Sequence, residues 1–412
     1  MREDWENILY KDAVFKVSTT KHKLKQKEYL NSGRYPVVDQ GQSIIGGYTN
    51  DREKLLDCKL PVVVFGDHTK KIKHINFQFA PGADGTKILE PKNGIHPKYI
   101  SLLTEILVFK IKDKGYARHY QHIEKEYLPL APLPIQRAIV TKIENLFASL
   151  DKGIADLKKA QEQLKVYRQA VLKKAFEGDR FFKLKIEEIT EKVQIGPFGS
   201  QLHKSDYIKN GVPLINPMHI IDGKILPRFD FSITMEKRNQ LPNYILETGD
   251  VIIGRRGEMG RCALVTDKEN GWFCGTGSLF LRPVKSKIYS PFLSCYLGSP
   301  IVKEYLTGSA TGTTMMNLNK KIIQNVPIPV PSISEQKQII KEIESRLSVC
   351  DKVEQSINEG LEKCEALRQS ILKKAFEGKL LTEKEIEKCK QEADYEPASV
   401  LLEKIKKEKK NR

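Results

Sequence analysis

Cysteine is scarce in this 412-residue sequence: seven residues, at positions 58, 262, 274, 295, 350, 364 and 389. The number is odd, no Cys-x-x-Cys pair occurs, and most of them sit among apolar neighbours, which argues against a disulfide framework or a zinc site and for a reducing compartment. No run approaches the roughly 20 apolar residues that cross a bilayer, and the charged start MREDWENILY lacks the apolar region of a signal peptide, so a cytoplasmic protein is expected. The eight histidines are scattered, and His68 with His74 has no convincing set of further ligands, so no metal site is expected. There is no Gly-x-x-x-x-Gly-Lys-Ser/Thr loop; GADGTK at 82–87 has the wrong spacing and reads as a turn. Asn216-Pro217-Met218-His219 lacks the second proline and the stacking aromatic of an amino-methyltransferase pocket. No catalytic residue is assigned.

What the sequence does have is positive charge. The 69 Lys+Arg against 52 Asp+Glu leave +17, with a pI near 9.3, which suits a polyanionic partner such as nucleic acid.

It also has a repeat. RQAVLKKAFEG at 168–178 returns as RQSILKKAFEG at 368–378, a displacement of 200 residues. The same offset holds without a gap back to Gln136 and Gln336, so one rigid element is used twice. That element reads as a long helix. Ile143, Leu150, Leu157, Leu164 and Val171 recur every seven residues, as do Ile343, Cys350, Ile357, Cys364 and Ile371. Companion rows are read at Ile139, Leu146, Gly153, Ala160 and Tyr167, and at Ile339, Arg346, Val353, Gly360 and Leu367, with Gly153, Ala160 and Gly360 allowing close approach. Cys350 and Cys364 read as small buried hydrophobes. Pro134 suits a first helical turn, Ser332 with Glu335 forms a capping box, and Gly178 and Gly378 suit the ends. At 1.5 Å per residue each helix spans about 65 Å, the length of a spacer.

The segments between these helices share a texture of short apolar runs punctuated by glycine and proline, followed late by a helical stretch. The expected fold is α+β: two similar domains at 1–131 and 179–330, separated by two long antiparallel coiled-coil helices at 132–178 and 331–378, in a pseudo-twofold repeat. A helical tail follows at 379–412, where Val400, Leu401, Leu402 and Ile405 could dock on the chain itself or on a partner.

Reading a duplex needs donors on loops, with Arg suited to guanine and Asn or Gln to adenine. In the second domain Arg255, Arg256 and Arg261 lie on a glycine-flanked turn, and Thr311, Thr313 and Asn317 on a hydroxyl-rich loop. In the first, His68, Lys70, Lys71 and Lys73 occupy GDHTKKIKH, and Tyr116, Arg118, His119 and Gln121 occupy GYARHYQH. Gln40, Gln42, Lys21 and Lys23 complete the set. Asp67 and His68 are also read as residues that shape a loop.

The order of domain, proline-rich lead, helix ending LKKAFEG, then the same again resembles the specificity (S) subunit of type I restriction-modification systems. GTTMMNLNKKII, IPVPSISEQKQIIKEIE and EPASVLLEKI carry the same resemblance, whereas the first lead departs from it, with Ile135 where the second has Glu335. The resemblance implies a non-catalytic subunit that reads a bipartite, asymmetric double-stranded DNA site. It further implies docking of two modification (methyltransferase) subunits and of restriction subunits, with S-adenosylmethionine, ATP and Mg²⁺ in those partners. A self-contained methyltransferase or nuclease, and a coiled-coil adaptor that never touches DNA, are the alternatives.

Overall fold

A computed structural model describes residues 2–82, 84–111, 118–177, 181–199, 201–257, 260–309 and 318–408. The chain forms two compact units, one from residues 1–156 with 360–412 and the other from 157–359. Two 44-residue helices, Leu133–Phe176 and Ile333–Phe376, contribute to both.

The first unit is built around an antiparallel sheet in the order Val14–Val17, Thr86–Pro91, Val62–Gly66, Ile72–Ile75. Val62–Gly66 is buried throughout, as an apolar run on a central strand should be. A second sheet orders Gly47–Thr49, Tyr35–Val38 and Ala80–Pro81, the last pair parallel. The helix Pro97–Lys110 packs Tyr99, Ile100, Leu103 and Leu107 into one core with Trp5, Tyr10, Ile135 and Ile139.

The second unit repeats that plan. Its main sheet runs Thr190–Ile195, Ser278–Pro283, Val251–Gly254, Cys262–Leu264, and its smaller one Ser232–Ile233, Val212–Ile215, Phe273–Cys274, again with one parallel pair. The helices Ser290–Leu297 and Pro300–Ser309 stand where the first unit has one. The two expected α+β domains thus share one strand order.

Within each unit the long helices run antiparallel. In the first, Arg368 lies over the Phe147 ring at 4.3 Å and pairs with Asp151. In the second, Arg168 pairs with Asp351 at 2.6 Å and Glu354 at 2.9 Å, and Gln161 reaches Asn358. The seven-residue row faces inward: Ile143, Ile343, Cys350 and Ile357 are buried, and Leu150, Leu157, Leu164 and Cys364 half-buried. The companion row needs correction, because Tyr167, Arg346, Val353 and Leu367 are exposed. The second inward row lies four residues after the first, at Phe147, Ile154, Gln161 and Arg168 and at Leu347, Glu354, Leu361 and Arg368. Arginines that clasp carboxylates across the pair occupy positions a purely apolar seam would fill. Gly153 is not needed for close approach, since a Cβ there would meet nothing within 4 Å.

The helix boundaries follow local chemistry. Ser332 Oγ accepts from the Glu335 N–H at 3.3 Å while the Glu335 carboxylate accepts from the Ser332 N–H at 2.9 Å, a closed capping box worth about 1 kcal/mol. Gly378 ends the second helix at φ +75°, a left-handed conformation that favours glycine; Gly178 lies outside the described residues. The tail folds onto the first unit: Leu401 and Ile405 are buried in its core, and Arg137 binds Glu392 and Asp394 at 2.6 and 2.7 Å. Val400 and Leu402 are less covered, at the margin of that contact.

Candidate nucleic-acid interface

In each unit the loops that leave the two sheets are tied together at one edge. In the first, the turn after Val62–Gly66 carries Asp67, His68, Thr69, Lys70 and Lys71. A Cβ on Gly66 would lie 2.3 Å from Thr69 Oγ1, so only glycine fits that turn. Gln40, on the next loop, accepts from the His68 N–H at 3.3 Å and donates to the Asp84 carbonyl at 2.9 Å, while Thr69 Oγ1 donates to the Gln40 carbonyl at 2.7 Å. Lys23 joins the same group through Asp84 at 2.9 Å. From the other side the Asp67 carboxylate accepts from the Tyr120 N–H at 2.8 Å and lies 3.4 Å from Lys87.

These bonds sort the candidate residues. Lys21, Lys23, Gln42, Lys71, Arg118 and Gln121 are exposed, and His68 and Lys70 half-buried, along this edge. Lys70 holds φ +58°, which tightens the turn. Gln40 is spent on bonds that fasten loops. Lys73 and His119 do not join this exposed set. Lys73 is buried, 3.6 Å from Asp39, and burial lowers its pKa although Asp39 opposes the shift, so it braces the sheet. His119 is buried too, and its Nδ1–H donates to the Asp67 carbonyl at 2.8 Å. Tyr116 lies outside the described residues.

The second unit builds its edge from the matching loops. Arg255 follows Val251–Gly254 and is buried; its Nε–H donates to the Leu318 carbonyl at 2.8 Å, and its guanidinium lies 6.0 Å from the ring of Phe198. Burial, and the neighbouring Arg256, lower its pKa, yet a guanidinium stays charged. Arg255 is therefore corrected from a base reader to an anchor, fastening Leu318 to the strand end. Arg256 beside it is exposed and Arg261 half-buried. Thr311, Thr313 and Asn317 lie outside the described residues. Asn216 Oδ1 accepts from the Gly277 N–H at 3.2 Å, as Gln40 bonds Asp84 in the first unit. The exposed Phe198 ring escaped the sequence reading because a lone aromatic between glycines carries no periodic signal. Among the described residues no group of three or more metal-ligating side chains occurs.

Residues 183–363 match the family model described as "Type I restriction modification DNA specificity domain". Along the sequence, the chain is 29% identical over 70% of its length to the EcoBI specificity subunit of Escherichia coli, spanning 65% of that protein, a little under two thirds. It is 23% identical over 98% of its length to the EcoDI specificity subunit of Escherichia coli, spanning 95% of that protein. In fold it matches a chain from a structure of type I restriction-modification complex assembly, with a TM-score of 0.71 at 20% identity, covering 92% of this chain and 99% of that one. In sequence the chain is thus similar to the specificity subunits of type I restriction-modification enzymes. The HsdS subunit of Thermoanaerobacter tengcongensis has the same fold, with a TM-score of 0.58 at 19% identity over 92% of this chain and 98% of that one. No helix among the described residues is long and apolar enough to cross a membrane.

Proposed function

We propose that this chain reads DNA for a type I restriction-modification enzyme and performs no chemistry itself. Residues 1–131 and 179–330 are two target recognition domains, each reading one half of an interrupted, asymmetric duplex site. Residues 132–178 and 331–378 are spacer helices that set the gap, and 379–412 is a tail. Two modification subunits dock on the scaffold and restriction subunits join them; S-adenosylmethionine, ATP and Mg²⁺ belong to those partners, and the complex works on DNA in the cytoplasm.

One observation carries the reading. Two units with the same strand order present the same set of loops at one edge, but arm them differently: Lys21, Gln42, Lys71, Arg118 and Gln121 in one, Arg256 and Arg261 in the other. Equivalent edges with different donors recognise different half-sequences of one polyanion. The net charge of +17 supplies the attraction for phosphate.

Purified with its modification subunit, the chain should produce methylation at a bipartite site, seen by methylome sequencing of a host with and without the gene. Methylation by the chain alone would favour a self-contained enzyme, and absence of any salt-dependent duplex binding an adaptor. The spacer role has its own test: a heptad added to both helices at facing positions lengthens the pair by about 10 Å, or about three base pairs. Both half-sequences should survive with a wider preferred gap, and an unchanged gap in a folded variant would remove the helices from that role.

A further inference from the structure

The smaller sheets of the two units differ in one connection. In the first unit residues 39–46 link Tyr35–Val38 to Gly47–Thr49; in the second, residues 216–231 make the same link and are twice as long. The extra length folds into a hairpin pairing Ile220 with Ile225 and Ile221 with Lys224. Asp222 and Gly223 form its turn, both in the left-handed region at φ 48° and 74°. Strand alternation then decides what each face does. Ile220 and Ile225 are buried against Ile252, Ala263 and Val265, which fixes the hairpin on the domain. Ile221 and Lys224 point outward.

Four large apolar side chains of this connection are exposed. Met218 is 46% exposed, Ile221 45%, Leu226 52% and Phe229 53%, all within one short insertion. Single exposed apolar residues need no explanation, but four in one connection of sixteen residues point to a contact surface. Its root lies beside the arginine turn: a Cβ on Gly254 would come within 3.0 Å of Pro217, and Asn216 accepts from the Gly277 N–H at the same edge. Exposed Lys209, Lys224 and Arg228 flank it, against Asp222 and Asp230, the latter already paired with Arg228 at 2.8 Å.

We propose that this hairpin is a second DNA-reading element of residues 179–330, in which Ile221 and Leu226 contact thymine 5-methyl groups in the major groove and Lys224 meets the flanking phosphate. The inference rests on the DNA-reading function proposed above and adds a base preference to it. A thymine methyl is the one apolar group on a major-groove base edge, so aliphatic side chains beside basic ones suit it. Continuity with the arginine turn places this contact next to the donors of the same half-site.

The test uses the complex with its modification subunit and duplexes in which each thymine of that half-site and its flanks is replaced singly by deoxyuracil, which lacks only the methyl. Burying one methyl is worth about fourfold in affinity, so at least one replacement should weaken wild-type binding by about that factor. The Ile221→Ala, Leu226→Ala double variant should melt like the wild type, bind the thymine duplex more weakly, and be indifferent to the replacement. Lys224→Ala should lower the slope of log affinity against log salt by about one. Wild-type indifference at every thymine, sensitivity that persists in the double variant, or a half-site region without thymine would each overturn the proposal. So would loss of the modification subunit by the double variant with a flat thymine scan, which would make the patch a protein-docking surface. Failure of the parent function is separate, because the wild type would then prefer no duplex sequence at all.

Discussion

Gln136 and Gln336 occupy the same place in the two units and allow each unit to be loosened alone. Both are fully buried near the start of a long helix. Gln136 accepts from the His96 N–H at 2.8 Å and donates to the carbonyls of Gly94 and Ala131 at 3.0 and 2.8 Å. Gln336 accepts from the Tyr289 N–H at 2.7 Å and donates to the carbonyls of Lys287 and Pro331 at 3.2 and 2.8 Å. Gln136→Leu keeps the volume but leaves one buried N–H and two carbonyls without these bonds. An unsatisfied buried N–H costs about 2 kcal/mol, and a carbonyl with its second lone pair less, so the total is about 3 kcal/mol. That is about a hundredfold in local opening. Hydrogen exchange followed by mass spectrometry should show peptides covering 92–100 and 131–140 exchanging about a hundredfold faster in Gln136→Leu, with 285–292 and 331–340 unchanged. Gln336→Leu should show the converse, and each variant should weaken only its own half-site. Equal effects on both units, or effects below about threefold, would refute the claim that each glutamine locks its own domain to its helix.

Two further predictions separate neighbouring or opposing charges. Arg256→Ala should cost about 1–3 kcal/mol of specific binding and relax only the half-site read by 179–330 if Arg256 grips a guanine, whereas Arg255→Ala should lower the melting temperature and weaken binding to all duplexes alike, because it releases Leu318; competition binding with altered half-sites distinguishes them. Stability should fall on acidification in two stages, read from denaturant midpoints. Burial holds His74, His96 and His219 below the usual 6.5, so the unfolded chain takes up protons first and stability drops as pH falls through about 6.5. Glu385, lowered to about 2 by Lys142 and the Thr382 cap, stabilises above its ordinary 4.5, and that contribution disappears as pH falls from there towards 2. A flat profile from pH 7 to 5 would contradict the histidine assignment.

The long helices were legible because a row of Ile and Leu every seven residues survives in the letters whatever the tertiary context. Their second inward row was not, because Arg168, Glu354 and Arg368 read as surface charges until a partner helix supplies Asp351 and Asp151. The strands were visible as apolar runs, but their order was hidden: Val37 meets Ala80 and Val14 meets Pro91 across long stretches of chain, and nothing local encodes such pairings. The same blindness explains Lys73, His119 and Arg255. Each is a polar letter whose partner lies far along the chain, and only the fold shows that Asp39, the Asp67 carbonyl and the Leu318 carbonyl had claimed them.

Three side chains that fasten loops, Gln40, Asn216 and Arg255, show how one framework can carry two specificities. The loops at each edge are held by bonds to backbone: Gln40 to the Asp84 carbonyl, Asn216 to the Gly277 N–H, Arg255 to the Leu318 carbonyl. A bond to backbone does not depend on the neighbouring side chain, so the exposed positions between anchors, such as Gln42, Lys71 and Arg256, are free to differ without disturbing the sheet beneath. Burial decides the division of labour. A buried donor needs a fixed partner or its desolvation is uncompensated, whereas an exposed one keeps water until a base edge replaces it. Exchanging the exposed residues between units, with the anchors left in place, should therefore move sequence preference while leaving the fold intact, and exchanging the anchors should do the reverse.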